Sequence, residues 1–390
     1  MPTIHSAERW LLRRPGSPMP HNPALGRRGV ARFAGRAGLA GVAALALAGC
    51  SVIGTGSDSG TGTGSEDSDG EGGGVVQVVT HDSFHVSEEL IADFEAESGY
   101  TVELSAPGDG GALVNQLILT ADSPLGDVAY GVDNSFASRA LEEGVFESYT
   151  SPALPASAEE YLVEGSDALT PIDIGDVCLN VDHEWFAEAG IDEPETFEDL
   201  LEEQYEDLLV VTNPATSSPG LAFLLATVGA FGEDGWLEYW EGLADNGLKV
   251  VDGWSDAYSV DFSGSAGEGD RPIVLSYSTS PAFEVAEGET EAPTGALLST
   301  CFRQIEYAGV IAGAANPEGG QAFIDFLLSD EVQADIPEQM YVYPVNDQVE
   351  LPESWTQFAP LAEDPHSVDP AEIDAHRDEW IQEWTATVIG

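Results

Sequence analysis

Short apolar runs alternate with helical segments along most of this chain, and that alternation restricts the fold more than any other feature. VVQVVT (75–80) reads as a buried strand, and SEELIADFEAESG (87–99) as an amphipathic helix stopped by glycine. YTVELSA (100–106), GGALVNQLILTA (110–121), GDVAYGV (126–132) and SFASRALEEG (135–144) continue strand, helix, strand, helix. The rhythm returns from GDVCLNV (175–181) through LLVV (208–211) to PIVLSYS (272–278). It resumes with EYAGVIAGA (306–314) and GGQAFIDFLLS (319–329). This pattern implies an α/β fold, a parallel sheet covered by helices. PAEIDAHRDEWIQEWTATV (370–388) adds a last helix, with Trp380 and Trp384 one turn apart and expected in the core.

In open α/β sheets, ligands sit at the carboxyl ends of the strands. Here those ends are Thr80 to Ser83, Pro107 to Gly110, Asp133-Asn134, Asn213 to Gly220, and Tyr277 to Pro281. Each is polar. The turn at 213–220 holds small hydroxyls at the mouth of a helix. It reads either as a helix cap or as a cradle, because a helix start offers free N–H groups and a positive dipole end.

Not all 390 residues belong to this fold. Arg27, Arg28, Arg32 and Arg36 precede an Ala-rich apolar run that ends Leu47-Ala48-Gly49-Cys50, the order of an export signal. The ending resembles a bacterial lipobox, which would leave Cys50 as a lipid-bearing N-terminus. Met19 competes with Met1 as the start of translation. Residues 51–74 are almost wholly Gly, Ser, Thr, Asp and Glu and read as a flexible tether. The expected division is a signal at 1–49, a lipid-anchored tether at 50–74 and a globular part from 75 onward, held at the outer face of the cytoplasmic membrane.

The chain carries 12 Lys+Arg against 70 Asp+Glu. Only Arg139, Lys249, Arg271, Arg303 and Arg377 lie beyond the signal. Nucleic acid is excluded as a partner, since there is no basic surface to meet phosphates. The acids are spread along the chain, as in a surface adapted to salt. Within one cleft they would also attract a cationic ligand. Cys178 and Cys301 remain after Cys50. In an oxidising space two such cysteines usually pair, and two buried thiols are the alternative.

No metal motif is present, and no cofactor is implied. No nucleophile elbow or P-loop occurs, so no catalytic residue is assigned. The aromatic residues say more. Trp254 and Tyr258 lie one helical turn apart, Tyr277 precedes a turn, and Tyr341 and Tyr343 fall on one face of an extended segment. Aromatic faces beside carboxylates suit a flat organic cation.

These loops, in this order, resemble the thiamine-binding proteins of bacterial thiamine ABC importers. The resemblance rests on His81-Asp82-Ser83-Phe84, Asp109-Gly110, Gly131 to Asn134, Thr216 to Gly220, Gly253 to Tyr258, Leu275 to Ala282 and Tyr343-Pro344-Val345, and covers about 75–388. It implies a two-lobed type II periplasmic-binding-protein-like fold with a two-strand hinge near 171–177 and 299–306. Lobe 1 would be 75–172 plus 306–390, and lobe 2 would be 173–305. Cys178 and Cys301 would lie just inside lobe 2 on the two chain passages, which favours their disulfide.

The resemblance also implies a ligand set of Asp109, Gly110, Ser217, Ser218, Trp254, Tyr277 and Tyr341. Asp82, Ser83, Asp133, Gly220, Tyr258 and Phe283 are secondary candidates. The implied ligand is thiamine or a thiamine phosphate, and the implied partners are the permease and ATPase subunits of the importer. A monomer is expected. Several positions depart from the family: His81 and Phe283 replace tyrosines, Tyr341 replaces a tryptophan, and Ala215 stands where a relative has arginine. Losing that arginine favours thiamine over its phosphates. Ferric iron or a polyamine is the alternative solute. A lipid-anchored hydrolase would need a serine nucleophile with a histidine partner, and no spacing supplies one.

Overall fold

The computed structural model describes residues 73–265, 269–286 and 289–390. The export signal, Cys50 and the tether to residue 72 lie outside the described residues. Ser68–Gly390 forms a compact unit by itself.

Among the described residues, ten strands join in one sheet: β1 (Gly74–Thr80), β2 (Tyr100–Ser105), β3 (Val128–Asp133), β4 (Phe146–Glu147), β5 (Thr170–Asp182), β6 (Leu209–Thr212), β7 (Lys249–Val251), β8 (Ile273–Tyr277), β9 (Thr294–Ile311) and β10 (Tyr343–Pro344). The main path runs β2-β1-β3-β9-β5-β8-β6-β7, with β10 paired to β5 and β4 to β9. Each expected strand forms, but the sheet is mixed rather than parallel. β1 is parallel to β2 and β3, and β6 is parallel to β7 and β8. β9 is antiparallel to β3 and β5, and β5 is antiparallel to β8. The cause is the two long strands. β5 has 13 residues and β9 has 18, and each carries the chain from one half of the sheet to the other. They run side by side in opposite directions, so Asp173 faces Glu306 and Asp176 faces Arg303.

Apolar residues cover both faces. Along β1, Val76 and Val78 enter a core with Phe94, Phe323 and Ile324, whereas Val79 enters another with Leu113, Val114 and Phe136. This is the two-residue period of a strand covered on both sides. Both cores lie wholly within Ser68–Gly390, so this unit holds what it needs to fold alone. Cys178 and Cys301 are bonded, and both are fully buried. The bond ties β5 to β9 beside the strand crossing.

The closing helix (Pro370–Trp384) lies beyond β9 in sequence but packs against a helix that precedes it: Trp384 is buried edge-on against Trp240, ring centroids 5.4 Å apart. Trp240 belongs to the helix Trp236–Asp245, between β6 and β7. The Trp380–Trp384 pair does enter the core, and the apolar face it requires is offered by the β6–β7 half of the sheet.

Candidate functional site

Loops from both halves of the sheet converge on one cleft. Its central cavity, about 50 Å³, is lined by residues that include His81, Ser83, Asp109, Ser218, Trp254, Tyr277, Ser280, Glu306 and Tyr341. An adjoining hollow of about 260 Å³ shares Trp254, Ser280 and Tyr341 and adds Tyr258, Phe283 and Glu284.

Asp109 stands where three helix starts meet. It caps the helix Gly110–Leu119 and accepts the Gly110 N–H at 2.6 Å. The same oxygen accepts the Ser218 N–H at 3.0 Å, and the other accepts the Trp254 N–H at 2.9 Å. A carboxylate suits this place because helix N-termini present unpaired amides and a positive dipole end. Burial holds the Asp109 carboxyl above its ordinary value, while the Trp254 and Ser218 amides, His81 and the Gly110 amide pull the other way.

The two serines at the mouth of the helix Ser218–Phe231 divide the cap from the cleft. Ser217 is the N-cap: its Oγ accepts the Gly220 N–H at 3.3 Å and donates to Thr212 Oγ1 at 2.8 Å. It is fully buried and is not among the residues that line the cavity. Ser218 lines the cavity and donates its hydroxyl to Asp133. Gly110 is needed for close approach, since a Cβ there would overlap the Ser218 hydroxyl.

The aromatic walls come from short helices and turns. The Trp254 and Tyr258 rings stack 5.0 Å apart at 12°. The indole N–H donates to Ser276 Oγ at 2.9 Å, which fixes the plane of the ring. The Tyr258 hydroxyl donates to Glu284 at 2.9 Å. Phe283, half exposed, packs on Tyr341 with centroids 4.1 Å apart. Tyr341 has a φ of 58°, in the left-handed region, and its carbonyl accepts from Thr279. This turn breaks the two-residue period, so Tyr341 and Tyr343 do not share a face. Tyr343 instead packs edge-on against Trp355 and donates to Ala359 O.

The cavity thus gathers Asp109, Ser218, Trp254, Tyr277 and Tyr341 from the expected set, with Ser83 from the secondary candidates. Tyr258 and Phe283 line the adjoining hollow. Gly110, Ser217, Asp133 and Gly220 lie behind these residues in supporting places, and Asp82 is exposed outside the lining. Sequence reasoning missed Ser280, Glu284 and Glu306 as site residues, and placed His81 in a strand-end loop and a matching motif without giving it a role. The signal for Ser280 was present, because it lies within the Leu275–Ala282 motif.

Comparison with known proteins settles the family. Residues 123–362 match the family model described as bacterial extracellular solute-binding protein. The chain belongs to this family. A relative, the thiamine-binding periplasmic protein of Escherichia coli (strain K12), is 30% identical over 325 residues, covering 80% of this chain and 93% of that protein. Iron uptake protein A1 of Synechocystis sp. is 24% identical over 308 residues, covering 73% of this chain and 80% of that protein. A solved periplasmic thiamin binding protein matches at a TM-score of 0.70 with 30% identity, over 80% of this chain and 96% of that one. The ferric binding protein from Campylobacter jejuni matches at 0.62 with 16% identity, over 80% and 99%. That last likeness is one of fold. This solute-binding protein therefore has the two-lobed periplasmic-binding fold, is exported and serves solute import as a binder rather than an enzyme.

Proposed function

We propose that this solute-binding protein captures thiamine between its lobes and delivers it to an ABC permease. One observation carries the reading: five Trp, Tyr and Phe rings and three carboxylates line two joined hollows. The rings are Trp254, Tyr258, Tyr277, Tyr341 and Phe283. The carboxylates are Asp109, Glu284 and Glu306, and among the described residues no Lys or Arg lines either hollow. A cationic ring gains from aromatic faces by about 0.5–2 kcal/mol per contact and from nearby carboxylates. Ser218, at a helix start, would orient the hydroxyethyl end. The thiamine-binding relatives at 30% identity support the same solute. The acidic lining, and Ala215 in place of a relative's arginine, favour thiamine over its phosphates.

In this reading the lobes are 75–172 plus 306–390, and 173–305, with the closing helix packed against the second. They close when the ligand touches both. Cys50 carries the lipid, residues 51–74 form the tether, and the protein works as a monomer.

Tryptophan fluorescence of residues 68–390 tests the ligand, titrated with thiamine, its mono- and diphosphate, spermidine and ferric citrate. The reading expects saturable quenching, tightest for thiamine. A response to spermidine or iron without one to thiamine would replace it.

A further inference from the structure

Behind the cleft, the Tyr130 hydroxyl lies 2.6 Å from Asp173 Oδ2 and 2.8 Å from Glu306 Oε2. Those two acids face each other across β5 and β9. One hydroxyl has one hydrogen. Two ionised carboxylates cannot both accept it, so one of the acids carries a proton. Asp173 is the holder. It is fully buried, and its Oδ1 has no partner. Burial and the charge of Glu306 push its carboxyl well above the ordinary range.

Glu306 is placed differently. It lines the cavity, accepts from Gln304 Nε2 at 3.1 Å, and lies 3.5 Å from His81 Nε2. Burial pushes its carboxyl up, but His81, Tyr130 and Asp173 outweigh that and hold it below its usual value. Glu306 is therefore the ionised member of the pair.

The structure makes a seat for His81 beside it. β3 bulges at Gly131, whose φ is +100°, and a Cβ there would overlap the imidazole. His81 Nδ1 accepts the Ser83 N–H at 3.1 Å, which directs Nε2 toward Glu306. The charged groups facing the ring are Asp82 from its own loop, Asp109 from the next helix start and Glu306 from β9. Tyr130 of β3 is the uncharged neighbour. Burial lowers the proton affinity of His81, yet Glu306, Asp109 and Asp82 raise it overall.

We propose that Glu306 is the carboxylate that holds a cationic ligand in this cleft, and that the proton on His81 competes with the ligand for it. The identity of the cation rests on the thiamine reading; the competition rests on this geometry. With His81 neutral, Glu306 faces one positive charge when a cation binds. With His81 protonated it faces two, so binding expels a proton. Affinity then rises with pH through the titration of His81, by up to about tenfold per unit for one proton released, and levels off above it.

The test is calorimetric titration of residues 68–390 with thiamine from pH 6 to 8.5, in buffers of different ionisation enthalpy. NMR titration of the His81 ring without ligand accompanies it. The expected results are proton release on binding at the acidic end of this range, weaker binding at pH 6 than at 8.5, and a flat profile in His81→Gln. Glu306→Gln is expected to bind at least about tenfold more weakly at pH 8.5 if one close charge pair is lost, and to lower the His81 pKa. The proton count on the unaltered chain needs no variant and stands if Glu306→Gln fails to fold. Equal affinity at pH 6 and 8.5 with no proton release would overturn the proposal. Absence of thiamine heat at every pH would instead overturn the thiamine reading. The His81 titration then decides: a pKa at or below the ordinary histidine value rejects the coupling to Glu306.

Discussion

Asp109 Oδ2 accepts the Trp254 backbone N–H at 2.9 Å, although the two residues follow strands at opposite ends of the sheet. Asp109 comes after β2 and Trp254 after β7, the first and last strands of the path. The sheet must fold its outer halves toward each other for their loops to meet. That fold makes the cleft.

Asp109→Ala removes the acceptor of three backbone N–H groups, those of Gly110, Ser218 and Trp254. Leaving buried donors unpaired costs about 1–3 kcal/mol. Urea unfolding is expected to show a lower midpoint, corresponding to an unfolding free energy reduced by about that amount. A midpoint equal to the unaltered protein would mean that water or a neighbour replaces the carboxylate.

Ser217 and Ser218 are neighbours with separate tasks, and their variants are expected to separate. Ser217→Ala removes the cap and its bond to Thr212, costing about 0.5–2 kcal/mol of stability, with thiamine affinity preserved. Ser218→Ala removes a cleft hydroxyl and is expected to weaken thiamine binding more than it lowers the unfolding midpoint. Thermal unfolding and titration of both variants check this. The opposite pattern would return Ser217 to the cleft.

Asp133 gives a pH dependence of known sign. Burial, offset in part by bonds from Ser135 and Ser218, raises its carboxyl from 3.8 to about 6. A carboxyl with a raised pKa binds its proton more tightly in the folded state. Its contribution is therefore fully present below pH 3.8 and lost as pH rises to about 6. Denaturant midpoints measured between these values are expected to fall with rising pH less steeply in Asp133→Asn, which removes this group from both states, than in the unaltered protein. An identical pH profile in the variant would contradict the assignment.

Reducing the Cys178–Cys301 bond opens a loop between residues 123 apart. The closure of so long a loop contributes about 2–4 kcal/mol. Both sulfurs are buried, so reduction requires prior opening of the structure. The double variant Cys178→Ala/Cys301→Ala is expected to unfold at a correspondingly lower denaturant concentration. A midpoint unchanged in that variant would show that β5 and β9 are held by their ladder alone.

Much of this was written in local sequence. The strand and helix runs, the cap at 217–220 and the one-turn spacing of Trp254 and Tyr258 are short-range patterns, and each forms. Strand direction is not short-range. The apolar runs in β5 and β9 look alike whichever way the chain travels, which is why a parallel sheet was expected. Tyr341 escaped its period because its backbone is left-handed, which interrupts the extended segment, and no glycine marks it. Glu306 was illegible for a third reason. It begins the run EYAGVIAGA, where a lone acid reads as a solvated strand end. Only the pairing of β9 with β5 and β3 brings it to Asp173, Tyr130 and the cavity.

The most direct test of the account is calorimetric titration of residues 68–390 with thiamine, for the unaltered sequence and for Trp254→Ala. The account predicts one-to-one binding, weakened about tenfold or more when the stacking face is removed, in line with the upper range for a desolvated cation–π contact. Tight binding that is unaffected by Trp254→Ala would place the ligand outside this cleft and contradict it.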